Sequence, residues 1–307
     1  MGNQGVSMSS ESRCLRVAMS LIEVIVVIAI VAILIGFLVP AVQKVRSSSQ
    51  RTVCENNLRQ IGLAFQSFHS VHSVLPSHGG GLSKSVRAVD GSYFTPTVRL
   101  RVPPYSTILM AIGDPLQSPA RQQGSWAYSL LPFVEQEVAF REVKWDTPLE
   151  ILVCPSRRRA AALIPDNDEY GDYTGGGWAW AKTDYACNGF LIGGLSFCRP
   201  LSFVTDGTTN SILVGEKALN PMTYQASGWF FDEPYFLGGA LGNRRKGINV
   251  LMDGPDYSYL DNWGSAHPIG PCFLFADGSV RTLSYEISAA AIAALLTPNG
   301  GEPTPEP

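Results

Sequence analysis

Between Val24 and Val39 the chain carries 16 consecutive residues with no charged or polar side chain, and extending back to Leu21 gives 19 positions interrupted by Glu23 alone. A helix rising about 1.5 Å per residue needs roughly 20 such positions to cross a bilayer. The run is therefore long enough to be a membrane span. An acid inside hydrocarbon costs on the order of several kcal/mol unless it is partnered, so Glu23 calls for a reason to be there. Pro40 closes the run; lacking an N–H, it is expected to kink or loosen the helix. A secretory signal peptide is the bland alternative, with Val39 and Ala41 as small residues before a cut. Its apolar core would span about 7 to 15 residues without an acid, which this run does not match.

The segment resembles the amino-terminal signal of type IV pilins and pseudopilins, in which a short basic leader and a small residue precede an apolar helix with Glu at its fifth position. The resemblance implies that a prepilin peptidase cuts after Ala18, that Met19 becomes the methylated mature terminus, and that Glu23 is the fifth-position glutamate. Ala18 and Met19 depart from the more usual Gly and Phe. Residues 1 to 18 suit a cytoplasmic leader, since Arg13 and Arg16 outweigh Glu11. In a stack of identical helices, the new amino group at Met19 can pair with Glu23 of a neighbour and offset its burial cost.

With 307 residues, of which 45% are hydrophobic and 16% charged, the chain has enough material for at least one sizeable core beyond the helix. A net charge of -3 gives no sign of a nucleic-acid surface, and the tight cluster Arg157, Arg158 and Arg159 reads as a solvated loop. Six cysteines are present, of which Cys14 falls in the leader. The remaining five are compatible with disulfides if the head lies outside the cytoplasmic membrane. The absence of C-x-x-C leaves a zinc ribbon or a thioredoxin-type motif unsupported.

From Ala41 to about His72 the helix is expected to continue. Cys54, Leu58, Ile61, Phe65 and Phe68 recur at spacings of 4, 3, 4 and 3, forming one apolar stripe. Taken from Met19 to His72, such a helix would extend roughly 80 Å, with its first part in the membrane and its second part the spine of a globular head. Residues 76 to 124 are rich in Gly, Ser and Pro and read as loop with one short strand. Residues 126 to 143 read as two short helical pieces divided at Pro132, and Ile151 to Val153 as a short strand ending at Cys154. Asp166, Asp168 and Gly171 fall at positions 1, 3 and 6 of a calcium-loop pattern, but Tyr170 and Gly177 occupy positions where oxygen ligands belong. A solvated acidic turn is the better reading, and neither a metal nor another cofactor is expected; Asp253, Asp256 and Asp261 raise the same question less strongly. From Asp184 onward strand-like runs alternate with turns. The clearest is a hairpin at Asp277-Gly278. A last helix is expected over residues 285 to 296, and the Pro-rich tail 297 to 307 reads as disordered.

Several stretches of the head resemble a bacterial family of unknown function abundant in planctomycete-type genomes and marked by a His, nine residues and Asp-Gly. Here these are His267, Asp277 and Gly278, within SAHPIGPCFLFADGSVRTLS. The resemblance also covers CENNLRQIGLAFQSFHSVHSVLP, SLLPFVEQ, LVCPS, DYACNG and FVTDGTTNSILVGE, in order along the chain. His267, before Pro268, is expected in an extended entry with its imidazole bonded to a loop, a structural role rather than a catalytic one. Cys54 and Cys154 both fall in matching stretches, and a bridge between them would tie spine to head; Cys187 and Cys198 are expected to close a small hairpin.

The expected architecture is α+β: a leader over 1–18, a transmembrane or assembly helix over 19–40 and a helical spine over 41–75. A head over 76–296 then packs an antiparallel sheet on the spine. The expected work is structural, as a pilin-like or pseudopilin-like subunit with a single span in the inner membrane and its head in the periplasm or at the surface. Its partners would be prepilin peptidase and other pilin-like subunits. The chain carries no G-x-S-x-G, Walker A, G-x-G-x-x-G or H-E-x-x-H signature, so an enzyme is not expected. The first rival is a monomeric membrane-anchored binding module, with Tyr173, Trp178, Trp180 and Tyr185 lining a ligand site, and the second is an enzyme centred on His267.

Overall fold

A computed structural model of the chain describes residues 21–81, 84–103, 105–255 and 259–301. Ala18, Met19, Cys14 and the rest of the leader lie outside the described residues, as do Asp256 and the end of the tail. The chain forms two compact units, one ending at Arg46 and the other beginning at Ser47. One helix, Leu21–His72, contributes to both and runs on through Pro40.

In the first unit every residue from Leu21 to Arg46 is exposed, including Ile22, Ile33 and Phe37. This helix is long and apolar enough to cross a membrane. A helix that is hydrophobic all round has to be covered by lipid or by other helices.

In the second unit the apolar stripe is buried as its spacing demands: Cys54, Leu58, Ile61, Phe65 and Phe68 are all at most 3% exposed. The stripe faces a five-stranded sheet ordered Arg244–Arg245, Tyr185–Asn188, Ile212–Glu216, Cys272–Phe275, Val280–Thr282. All its pairings are antiparallel except the first. The three inner strands are buried on both faces. Tyr185, Cys187, Val214, Cys272 and Leu274 share a core with the spine helix, while Ala186, Ile212, Phe273 and Phe275 pack with Ile292 and Leu296 of the carboxy-terminal helix Ala289–Leu296. Apart from the irregularity between Ile212 and Val214, alternation along the strands thus sends successive side chains into two separate cores. Gly62 permits the approach of helix to sheet, since a Cβ there would lie 2.8 Å from Leu274 Cδ1.

The hairpin at Asp277-Gly278 forms with Leu274 opposite Val280. Gly278 alone takes the left-handed conformation, at φ 88°, while Asp277 Oδ1 accepts from the Ser279 N–H at 2.8 Å. Other expectations are corrected. Ile151 to Val153 is not a strand, because Glu150–Leu152 is a 3₁₀ turn that Asn57 Nδ2 clamps through the carbonyls of Glu150 and Val153. Among the described residues, 76 to 124 hold five short strands, Val86–Arg87, Tyr93–Phe94, Thr97–Leu100, Thr107–Leu109 and Ala111–Ile112. Two of them pair with distant segments, Thr97–Leu100 with Gly171–Thr174 and Ala111–Ile112 with Leu237–Gly238. The start of the tail is held in place, with Pro298 O accepting from Thr205 N and Gly300 N donating to Asp206 Oδ2.

Of the arginine cluster, Arg159 alone is exposed as expected. Arg157 and Arg158 are buried. Arg157 grips Asp253 with two nitrogens at 2.7 and 3.0 Å. Arg158 grips Asp232 at 2.6 and 2.8 Å, and Lys182 and Lys217 approach the same carboxylate to 3.1 and 2.9 Å. Paired guanidinium–carboxylate contacts of this kind make burial of the charges tolerable.

Candidate functional site

Against the spine helix, four side chains from distant parts of the sequence converge. Cys54 comes from the helix, Cys154 from the turn after Glu150–Leu152, Glu216 from the end of its strand, and His267 from the entry to the strand Cys272–Phe275. All are buried, and one potential ligand atom from each lies within 4.8 Å of every other. The Cys54 and Cys154 sulfurs are 3.0 Å apart. His267 Nε2 is 3.3 Å from Cys54 Sγ, 3.5 Å from Cys154 Sγ and 3.5 Å from Glu216 Oε1.

Each member is fixed from behind. Asn57, one helical position from the stripe, holds the turn that carries Cys154, whose N–H donates to Asp184 Oδ2 at 2.7 Å. Cys272 N–H donates to Glu216 Oε2 at 2.8 Å, which turns Oε1 toward the cluster. His267 N–H donates to Ser265 Oγ, and the Tyr285 hydroxyl donates to His267 O at 2.6 Å. On the far side of the ring, Nδ1 lies 3.4 Å from Ser156 Oγ, whose hydroxyl donates to Gln50 Oε1 at 3.2 Å. Because that hydroxyl proton is committed to Gln50, Ser156 accepts from Nδ1–H, and Nε2 is the nitrogen aimed at the sulfurs.

The electrostatics follow from this crowding. The hydrogen bond from Cys54 holds the Cys154 thiol below its usual value in spite of burial, and the same contact with burial drives Cys54 far upward. Burial would push the His267 imidazole down, but its bonds to Cys154 and Glu216 outweigh that and raise it to about 9. Burial also works against the Glu216 carboxylate, yet His267 and Arg157 keep it below its usual range. The set is two cysteine sulfurs, one imidazole and one carboxylate. Such a set can oxidise to a disulfide, hold a thiolate–imidazolium pair or ligate a transition-metal cation.

Residues 43–290 match a family described as "Protein of unknown function (DUF1559)". The chain belongs to that family. All four cluster residues lie inside the matched span. No curated protein and no solved structure matches the chain.

Of the sites expected from sequence, Cys54, Cys154 and His267 are brought together, although nothing in their spacing signals it: Cys54 is 100 residues from Cys154 and 213 from His267. The His267 imidazole contacts the loop after Cys154 through Ser156 Oγ, and its other nitrogen also joins a four-residue cluster. Glu216 was not anticipated. The available signal was an acid directly ending the apolar run ILVG, where burial makes a partner obligatory. Asp277 and Gly278 serve the hairpin and are not part of the cluster. Cys187 and Cys198 do not close a hairpin; both are free. Cys187 sits mid-strand between Val214 and Arg244, and the chain leading to Cys198 instead pairs with the segment after the spine, through His78 N to Gly193 O and Leu195 N to Gly79 O. Asp168 Oδ1 accepts from Tyr170 N, Gly171 N and the Tyr173 hydroxyl, so it organises its own loop. Of the aromatic group, Tyr173, Trp180 and Tyr185 are core residues, and Trp178 alone is exposed, its Nε1 donating to Arg87 O.

Proposed function

We propose that this member of the family is a pilin-like or pseudopilin-like structural subunit. Its leader is removed by a prepilin peptidase, and it assembles with other pilin-like subunits through its amino-terminal helix in the inner membrane, with the head in the periplasm or at the surface. The role is non-catalytic. The observation that carries this reading is a single helix that begins as an uncovered apolar segment with Glu23 near its start and continues as the buried spine of a folded head. An ordinary anchor needs neither the acid nor continuity with the head. The monomeric binding module loses its motivation, because the aromatic side chains offered as its ligand site are mostly buried.

The test is Glu23→Ala. Removing an acid from an apolar run lowers the cost of transfer into lipid by on the order of a few kcal/mol, so membrane insertion stays intact or improves. Assembly is lost, because the charge partner for the neighbouring terminus is gone. Membrane fractionation reads the first effect, and recovery in sheared or cross-linked assemblies reads the second. Normal assembly with Ala at position 23 would sink the proposal.

A further inference from the structure

We propose that Cys54, Cys154, Glu216 and His267 bind one zinc-class divalent cation in a closed, four-coordinate structural site. Tetrahedral zinc with sulfur at about 2.3 Å and nitrogen or oxygen at about 2.0 to 2.2 Å sets ligand-to-ligand edges of roughly 3.8 Å between sulfurs, 3.6 Å between sulfur and nitrogen and 3.4 Å between nitrogen and oxygen. The three edges from His267 Nε2, at 3.3, 3.5 and 3.5 Å, fall close to these values. The sulfur–sulfur edge is shorter, at 3.0 Å, and needs a small rotation to open.

A second observation points the same way independently of the sulfurs. Glu216 is fully buried, its Oε2 is held by Cys272 N–H, and its Oε1 faces the cluster with no hydrogen bond among the described residues, its charged neighbour there being His267 Nε2 at 3.5 Å. A buried carboxylate oxygen whose charged neighbour stands beyond hydrogen-bond reach is incompletely satisfied, and a cation between Oε1 and Nε2 would meet both. A disulfide between Cys54 and Cys154 would use two of the four groups and leave Oε1 and Nε2 facing an apolar S–S bond, whereas a cation uses all four. The imidazole is also oriented as metal-ligating histidines are, with its remote nitrogen donating to Ser156 and Ser156 donating on to Gln50. Two thiolates, a carboxylate and a neutral imidazole around a dication leave one net negative charge, and the buried Arg157 acts on both Cys154 and Glu216. Two sulfurs with a nitrogen and an oxygen favour zinc over calcium or magnesium, which take oxygen ligands. Four protein ligands with no exposed edge leave no open position for a substrate, so the ion would staple the spine helix to the sheet and would not act on anything.

The experiment uses the full chain, purified in detergent under reducing, metal-free conditions and titrated with Co²⁺ and then Zn²⁺. The expected result is one ion per chain, the intense visible bands of tetrahedral cobalt with a thiolate charge-transfer band, and their loss as zinc displaces cobalt. Bound metal should protect Cys54 and Cys154 from alkylation. Glu216→Gln and His267→Ala should each weaken binding by at least tenfold, while Cys187→Ser leaves it unchanged. If Cys54→Ser does not fold, the cobalt spectrum of the native chain and the Glu216→Gln affinity still decide the matter. A Cys54–Cys154 disulfide in chain taken from membranes without reductant, no stoichiometric uptake by the reduced chain, or an octahedral cobalt spectrum would each overturn the proposal.

Discussion

Asp232 shows what single residues do in the head. Burial alone would raise its carboxyl, but Arg158 above all, then Lys182 and Lys217, hold it well below the usual range. Because the folded value is depressed, its contribution to stability is fully present above about pH 5 and declines as pH falls through the unfolded value near 3.9 and below. Asp232→Asn leaves three buried cations without their shared counter-charge and is expected to cost about 3 to 5 kcal/mol at neutral pH, and to flatten this acid limb. Urea unfolding of the head between pH 3 and 7, native against variant, checks both; parallel acid limbs would show that Asp232 is not the group responsible. At this scale the sequence was only partly legible. Arg157 and Arg158 looked like a surface cluster because their partners, Asp253 and Asp232, stand 96 and 74 residues away. Glu216 was hidden for the same reason. By contrast Asp277-Gly278 was readable, since a hairpin turn depends on neighbours in sequence.

At the scale of elements, periodicity carried the argument where the element was long. The stripe from Cys54 to Phe68 predicted the buried face of the spine because every third or fourth residue of a helix shares a face. Phe65 is its centre, 1% exposed and stacked on Trp126 with ring centroids 5.7 Å apart. Phe65→Ala should therefore destabilise the head by about 3 to 5 kcal/mol while leaving the amino-terminal span inserted. Thermal unfolding of the detergent-solubilised chain reads the first effect and carbonate extraction of membranes the second; a loss below about 1 kcal/mol would mean the spine packs less closely than described. Short strands were illegible for a physical reason. Segments of two to four residues such as Ala111–Ile112 have no measurable period, and they are strands only because Leu237–Gly238 comes to pair with them. Glu150–Leu152 was misread because three apolar-flanked residues fit a strand or a 3₁₀ turn equally well, and the choice was made by Asn57.

At the scale of the whole chain, the feature most plainly written in the sequence was one long helix, Leu21–His72, whose first part is apolar enough to cross a membrane. The identity of the head was legible through its motifs and is borne out by family membership over residues 43–290, while the cluster at Cys54, Cys154, Glu216 and His267 emerged only from the folded chain. The two proposals are independent, since a metal staple within the head survives any outcome at the amino terminus. Assembly through the amino-terminal helix depends on processing, so the decisive measurement is mass spectrometry of the mature amino terminus of chain recovered from membranes. It should begin at an N-methylated Met19, with cleavage after Ala18; a terminus at Val42, or an uncut Met1, would contradict the account.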